Sequence, residues 1–459
     1  MKSLLITGDR SGSGKTSITL AMAALLSEEH VVQPFKVAMD YIDPSYLTGV
    51  TGRACRNLDS FVMDAPLIHD VYANGSLGAD IAIVEGVRGL YEGSEALTDK
   101  GSTASVAKTL DLPVILVVDA RSITRSAAAL VKGFQAFDPA VRIEGVILNQ
   151  IHGDIHREKA TKAIEHACGI PVIGAIPRRE EMKLTMRHLG LVPYLEGSQK
   201  EMFMEKIHAI TQIIGDHLDF DQLLDLAKES PAPTKKPALF CPAETTDIKI
   251  GVALDESFNF YYNDLFDILR AQEAEPVFFS PIHDRLPDAD GYIIGGGYPE
   301  LFADELEQNS QMRDAIREVS ANGTPIYAEC GGLIYLTEDL ILASGHDGRS
   351  KDEHYTMAGV FRGETRMPVK RVIGYVEGTA SDKSPLGSGS FAGHEFHHTD
   401  VRLADDTEYA YRLTRGKGIK DNLDGAVCNN TIAGYTHLHP SSVPGMFQTF
   451  TERCRFHSA

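Results

Sequence analysis

Residues 3–16, SLLITGDRSGSGKT, carry the strongest structural signal in the chain. Ser3 to Thr7 form a short apolar run of the kind that makes a buried strand, and Thr16–Glu28 follows with helical spacing of its apolar residues. Between them, Gly8, Gly12 and Gly14 free the backbone to curl, so that its N–H groups can surround phosphate oxygens at a helix start. Lys15 adds a point charge for the β- and γ-phosphates, and the Thr16 hydroxyl is placed to ligate Mg²⁺. Gly12, Ser13, Gly14, Lys15, Thr16 and Ser17 are therefore the expected contacts to ATP. The bland alternative is a glycine turn with an accidental Gly-Lys-Thr, and the strand–loop–helix setting disfavours it.

Further along, short Val/Ile/Leu runs recur: VVQPFKVA at 31–38, IAIVEG at 81–86, VILVVDA at 114–120, RIEGVILN at 142–149 and PVIGAIP at 171–177. Nearly continuous apolar runs suit parallel strands buried on both faces, and helical stretches such as Ser122–Phe137 lie between them. Alternating strands and helices predict an α/β fold, a doubly wound parallel sheet, with ligands gathered beyond the carboxyl ends of the strands. Asp40 and Asp43 in KVAMDYIDPSY and Glu85 at the end of IAIVEG fall at such ends. Asp43 and Glu85, with Thr16, are the expected metal ligands, though Asp43 before Pro44 also reads as a turn residue. Asn149, ending VILN, reads either as a contact to an adenine edge or as a turn cap.

From Ala227 to Asp247 prolines stand at 231, 233, 237 and 242, which predicts a semi-rigid connector. The expected division is a synthetase domain over 1–226, a linker over 227–247 and a second α/β domain over 248–459. In that second domain TPIYAECGGLIYL sets Cys330 between an apolar strand and an apolar helix, the layout of a nucleophile elbow. Gly296 and Gly297, in the GGGYPE that follows the GYII run, offer backbone N–H groups for an oxyanion hole. His437 and His439 in GYTHLHP are candidate bases for the thiol. Residues 341–400, richer in Gly, Thr and Val, predict antiparallel excursions.

Composition narrows the function classes. Hydrophobic residues at 43% and charged residues at 24% match an ordinary globular protein, and no apolar run approaches the ~20 residues of a membrane span. A net charge of -20 repels nucleic acid and anionic membranes. Six scattered cysteines without a CxxC pair indicate neither a zinc site nor a disulfide framework, and MKSLLITGDRSG breaks into glycines and charges too soon to read as a signal peptide. A reducing, cytoplasmic setting is expected.

The six-residue step from Gly8 to Gly14, one longer than in GxxxxGK[ST], resembles the phosphate loop of dethiobiotin synthetase and MinD-like proteins, and the order of GGGYPE, Cys330 and the histidines resembles a class I glutamine amidotransferase domain. The resemblance favours His437 over His439, and because His439 stands where many such domains carry an acid, it implies a Cys–His dyad. Together the two halves resemble the cobyrinate a,c-diamide synthases and the Ni-sirohydrochlorin a,c-diamide synthases. The matching segments include DYIDPSY at 40–46, TGRACRNLDSFVM at 51–63, EGVRGLYEG at 85–93, RHLGL at 187–191, AECGGLIYL at 328–336, GHEFHH at 393–398 and YTHLH at 435–439. The resemblance implies amidation of the a and c acetate side chains of a tetrapyrrole with MgATP and L-glutamine, in cobalamin or coenzyme F430 biosynthesis. Asp40, Tyr41, Arg53, Asn57 and Arg88 are then the expected substrate contacts, and a homodimer is admitted. This chain departs from the family pattern in having Ala38-Met39 where GPDYIDP has Gly-Pro, Leu47 where a histidine often stands, Arg88 and Glu92 in EGVRGLYEG, and Ala392 for an arginine. A cobyric acid synthase fits DYIDP and GHEFHH less well. A MinD-like switch ATPase with an inactive glutaminase module does not account for Cys330 and His437.

Overall fold

The computed structural model describes residues 1–182, 197–345 and 349–458. The segment RHLGL at 187–191 lies outside them. The chain forms two compact units, Met1–Pro237 and Ala238–Ala459. No helix among the described residues is long and apolar enough to cross a membrane.

The first unit is a doubly wound α/β structure. Its elements run β1 (Lys2–Gly8), α1 (Lys15–Leu26), β2 (Val32–Val37), α2 (Ile42–Thr51), β3 (Arg56–Leu58), α3 (Ala65–Ser76), β4 (Ile81–Gly89), α4 (Thr103–Thr109), β5 (Val114–Asp119), α5 (Arg125–Phe137), β6 (Ile143–Ile151), α6 (Asp154–Cys168) and β7 (Val172–Pro177). The sheet order is β3-β2-β4-β1-β5-β6-β7, parallel throughout. β2 and β5 are buried along their whole length and β1 from Ser3 onward, which is why their sequences carry almost no alternation. Beneath the sheet α1 packs Ile18, Leu20 and Met22 against Phe203, Ile207 and Ile210. Strand order changes direction around β1 and β4, so the loops after β1, β2 and β4 meet at one carboxyl edge. The 227–247 segment contains the boundary at Pro237: Lys228–Glu229 pairs antiparallel with Ser3 and Lys2, and Phe240 is fully buried in the second unit.

The second unit is also α/β. Parallel strands lie in the order Ala274–Phe279, Ile248–Ala253, Gly291–Ile294, Ile326–Glu329 and Thr431–Gly434. The sheet continues through antiparallel strands to Val372–Ala380, Gly389–His397 and the two-residue His437–Leu438. A separate four-stranded sheet takes in Thr337–Leu342, Glu353–Thr356, Phe361–Met367 and Asp400–Leu403. The excursions expected over 341–400 are therefore present. One pairing inside them, Thr337–Leu342 with Phe361–Met367, is parallel.

Candidate functional sites

In the first unit β1 ends at Gly8 and the phosphate loop turns into α1. Gly14 has φ +90, and a Cβ there would lie 2.1 Å from Asn149 Nδ2, so only glycine fits. Asn149 is buried at the end of β6, donates from Nδ2 to Ser13 O at 2.8 Å and accepts from Gln150 N at 2.8 Å. Its amide thus holds the phosphate loop at Ser13. Ser17 differs from expectation. Its hydroxyl donates to Met182 O at 2.9 Å, which leaves only its backbone N–H for a phosphate.

Behind the loop lies a buried charged cluster. Thr16 Oγ1 donates to Glu85 Oε1 at 2.7 Å, and Lys15 Nζ stands 3.8 Å from the same oxygen. The sequence reading missed Lys36, on β2 and opposite Glu85 in register. Its side chain is 1% exposed, and Nζ bonds Asp43 Oδ2 at 2.5 Å, Glu85 Oε1 at 2.9 Å and Gly86 O at 3.3 Å. Burial alone would discharge this lysine, but Asp43 and Glu85 outweigh it and hold its pKa above the ordinary value. Burial and then repulsion from Lys36 lower that of Lys15. Burial would raise Asp43, yet Lys36 and Lys15 reverse this and hold it below the usual carboxylate value. Asp40, pushed by burial and then by the Asp43 charge, rises to about 6. Glu85 Oε2 is buried without a hydrogen-bond partner among the described residues. Asp43 sits in the first turn of α2, where its negative charge also suits the helix dipole.

In the second unit strand Ile326–Glu329 runs into Cys330 and the short helix Gly331–Leu336. Cys330 has φ +45, a conformation a non-glycine residue holds only when its surroundings impose it. Those surroundings are visible: Cys330 N donates to Gly434 O at 2.7 Å, and Gly332 N donates to Gly295 O at 3.0 Å. A Cβ on Gly331 would come within 2.9 Å of Gly297 N, so Gly297 and the elbow are pressed together. A Cβ on Gly296 would meet His437 Cε1 at 2.7 Å. Cys330 is 7% exposed and hydrogen-bonds His437, whose ring stacks on His394 with centroids 4.8 Å apart. Burial opposes protonation of His437, but hydrogen bonds to Cys330 and to Glu329 overcome it and raise its pKa to about 10. Glu329, absent from the sequence reading, reaches His437 Nδ1 with Oε2 at 3.0 Å. His439 is turned elsewhere: it is fully buried against Tyr262, with Nε2 3.8 Å from Asp264.

Two family models match the chain along these two units. Residues 4–192 match the CobQ/CobB/MinD/ParA nucleotide binding domain, and residues 249–444 match the CobB/CobQ-like glutamine amidotransferase domain. The cobyrinate a,c-diamide synthase of Methanosarcina acetivorans is 51% identical, covering 95% of this chain and 92% of its own. The chain belongs to the cobyrinate a,c-diamide synthase family. The namesake from Methanothermobacter thermautotrophicus is 41% identical, with 98% of each chain covered. As a family member the chain is a glutamine amidotransferase ligase with a nucleotide-binding domain.

The remaining expected substrate contacts of this family member separate into two groups. Arg53, just past α2, donates to Gln33 Oε1, Gly75 O and Leu77 O, all at 2.9 Å, so its guanidinium ties this turn to β2 and to the end of α3. Asn57 is buried and donates to Ala38 O and Asp40 O, both at 2.8 Å. It shapes the turn that carries Asp40 and does not reach outward itself. Tyr41 stands at the start of α2 and is partly exposed. Arg88, with φ +50, is exposed just past Glu85 on β4 and donates weakly to Gly93 O at 3.4 Å. Ala38 takes φ +82 at the position where the family motif carries glycine.

Proposed function

We propose that the chain amidates the a and c acetate carboxylates of a tetrapyrrole, cobyrinate or Ni-sirohydrochlorin, with ammonia taken from glutamine. The observation that carries this reading is the identity of 51% with a cobyrinate a,c-diamide synthase over both units. The geometry supplies matching chemistry. Lys15 and the loop N–H groups hold the phosphates of ATP while a substrate carboxylate oxygen attacks the γ-phosphorus, releasing ADP and leaving an acyl phosphate. Exposed Arg88 on β4, with Asp40 and Tyr41 just past the end of the neighbouring β2, faces the carboxylates of the macrocycle. Ammonia then attacks the acyl carbon, phosphate departs, and the nitrogen loses a proton.

The all-oxygen set of Thr16, Asp43 and Glu85 suits Mg²⁺, and the partnerless Glu85 Oε2 is an acceptor waiting for a cation. These residues would hold it, and it would neutralise charge on the phosphate oxygens. In the second unit Cys330 Sγ attacks the glutamine amide carbon and His437 passes a proton to the departing ammonia. Gly297 N–H, together with the N–H after Cys330, stabilises the oxyanion. Water then cleaves the thioester to glutamate. The test is mass spectrometry with cobyrinate and Ni-sirohydrochlorin offered in parallel with MgATP and glutamine. Diamide from either ring supports the reading and names the substrate; unchanged carboxylates on both would overturn it.

A further inference from the structure

The site around Cys330 contains a carboxylate that the Cys–His pair does not account for. Glu329 is 7% exposed, ends the strand below the elbow and lies 108 positions before His437 in the chain. Strand residues alternate sides, yet the sharp turn at Cys330, φ +45 and ψ −92, brings the side chains of two successive residues to one imidazole. Cys330 hydrogen-bonds the His437 ring, and Glu329 Oε2 lies 3.0 Å from its Nδ1. The second oxygen of Glu329 accepts from Leu438 N at 3.0 Å and from the Tyr327 hydroxyl. The carboxylate is thus fixed by two donors before it reaches the histidine.

We propose that Glu329 is the positioning residue of the glutaminase, holding the Nδ1–H of His437 so that Nε2 faces the Cys330 thiol. The proposal rests on the glutaminase reading of Cys330 and His437. An imidazole carries its neutral proton on either nitrogen, and a carboxylate on Nδ1 selects the tautomer whose Nε2 can take the thiol proton. The same negative charge stabilises the imidazolium once the proton has moved. Neither of the other buried rings near His437 performs this service: His394 stacks on its face, and His397 bonds the Thr399 carbonyl. A carboxylate in the residue before the nucleophile therefore stands where His439, pointing at Asp264, does not.

Glu329→Gln separates charge from shape. A glutamine that keeps its oxygen on Leu438 N–H and Tyr327 O–H must point its NH₂ at Nδ1, which drives the proton to Nε2, the wrong side. By analogy with other base-orienting carboxylates, kcat for glutamine hydrolysis falls about 100-fold or more, with KM for glutamine within about threefold. Alkylation of Cys330 by iodoacetamide slows in parallel, while amidation driven by added ammonia is unchanged. In the native protein the Nδ1–H proton should appear as a low-field resonance that His437→Gln removes. Wild-type kcat in Glu329→Gln, or absence of that resonance from the native protein, would overturn the proposal. So would a loss that appears equally in ammonia-driven amidation, because that marks a scaffold residue. Cys330→Ala distinguishes the underlying reading: glutamine hydrolysis surviving in that variant would refute the glutaminase site itself, whatever Glu329 does.

Discussion

Replacing Lys36 by methionine removes one cation from between two acids and keeps roughly the same volume. Nζ lies 2.5 Å from Asp43 and 2.9 Å from Glu85, with the lysine 1% and Glu85 0% exposed. Solvent cannot fill the gap at Glu85, so its charge is left buried with only Lys15 at 3.8 Å and the Thr16 hydroxyl nearby. Breaking a buried pair in this way costs about 3–5 kcal/mol at neutral pH. For a unit of this size that is a fall in melting temperature of roughly 6–20 °C. The cost depends on pH in a defined direction. In the native protein Asp43 titrates below its ordinary value, so it contributes stability above pH ~4 that is lost on acidification. Without Lys36, burial is left to push Asp43 up, so the deficit of the variant is greatest at pH 7–9 and shrinks toward pH ~4. Lys36 itself titrates above its ordinary value, so its contribution is complete throughout this range. Calorimetry of the full chain across pH 4–9, with the first-unit transition identified by its response to MgATP, measures the effect. Lys36→Met combined with Glu85→Gln should recover part of the loss. A deficit below about 1 kcal/mol, or one that does not change between pH 5 and 8, would refute the description of this cluster.

Lys15→Ala should abolish amidation while glutamine hydrolysis persists; product formed with ATP by that variant would remove the phosphate loop from the mechanism. Cys330→Ser should lose glutamine-driven amidation and keep amidation with ammonia at alkaline pH, and loss of both in a folded, ATP-binding protein would contradict the division of labour. Ala38→Gly should stabilise the first unit by about 0.5–1 kcal/mol, because φ +82 is strained for alanine and relaxed for glycine; a lower melting temperature would show that the turn is not strained.

The parallel strands were legible in sequence because burial on both faces makes them uninterrupted apolar runs: VILVVDA became β5 to within a residue, and IAIVEG opened β4, which runs on to Gly89. β3 was not, since three residues, Arg56–Leu58, at a sheet edge are too few to set a period. Lys15, Thr16, Asp43 and Glu85 meet because strand ends of a doubly wound sheet converge, and convergence is a property of the fold class. Lys36 escaped notice because a lysine within FKV reads as strand, and its partners lie on α2 and β4. Glu329 escaped for a related reason. Its role depends on His437, brought back by a two-residue strand paired with Gly393 and His394, and such long-range pairing leaves no local pattern. The backbone partners of Arg53 and Asn57 were not legible either: side chains with several donors bond the nearest unpaired carbonyls, and which carbonyls are unpaired is decided by tertiary structure.

Transfer of nitrogen from glutamine to two carboxylates at the expense of ATP can be followed atom by atom. With amide-¹⁵N glutamine, MgATP and cobyrinate, the isolated tetrapyrrole should carry two ¹⁵N atoms, both on the a and c acetate groups, with one ADP formed for each. Glutamate and ADP accumulating while the macrocycle stays unlabelled, or label placed on other side chains, would contradict it.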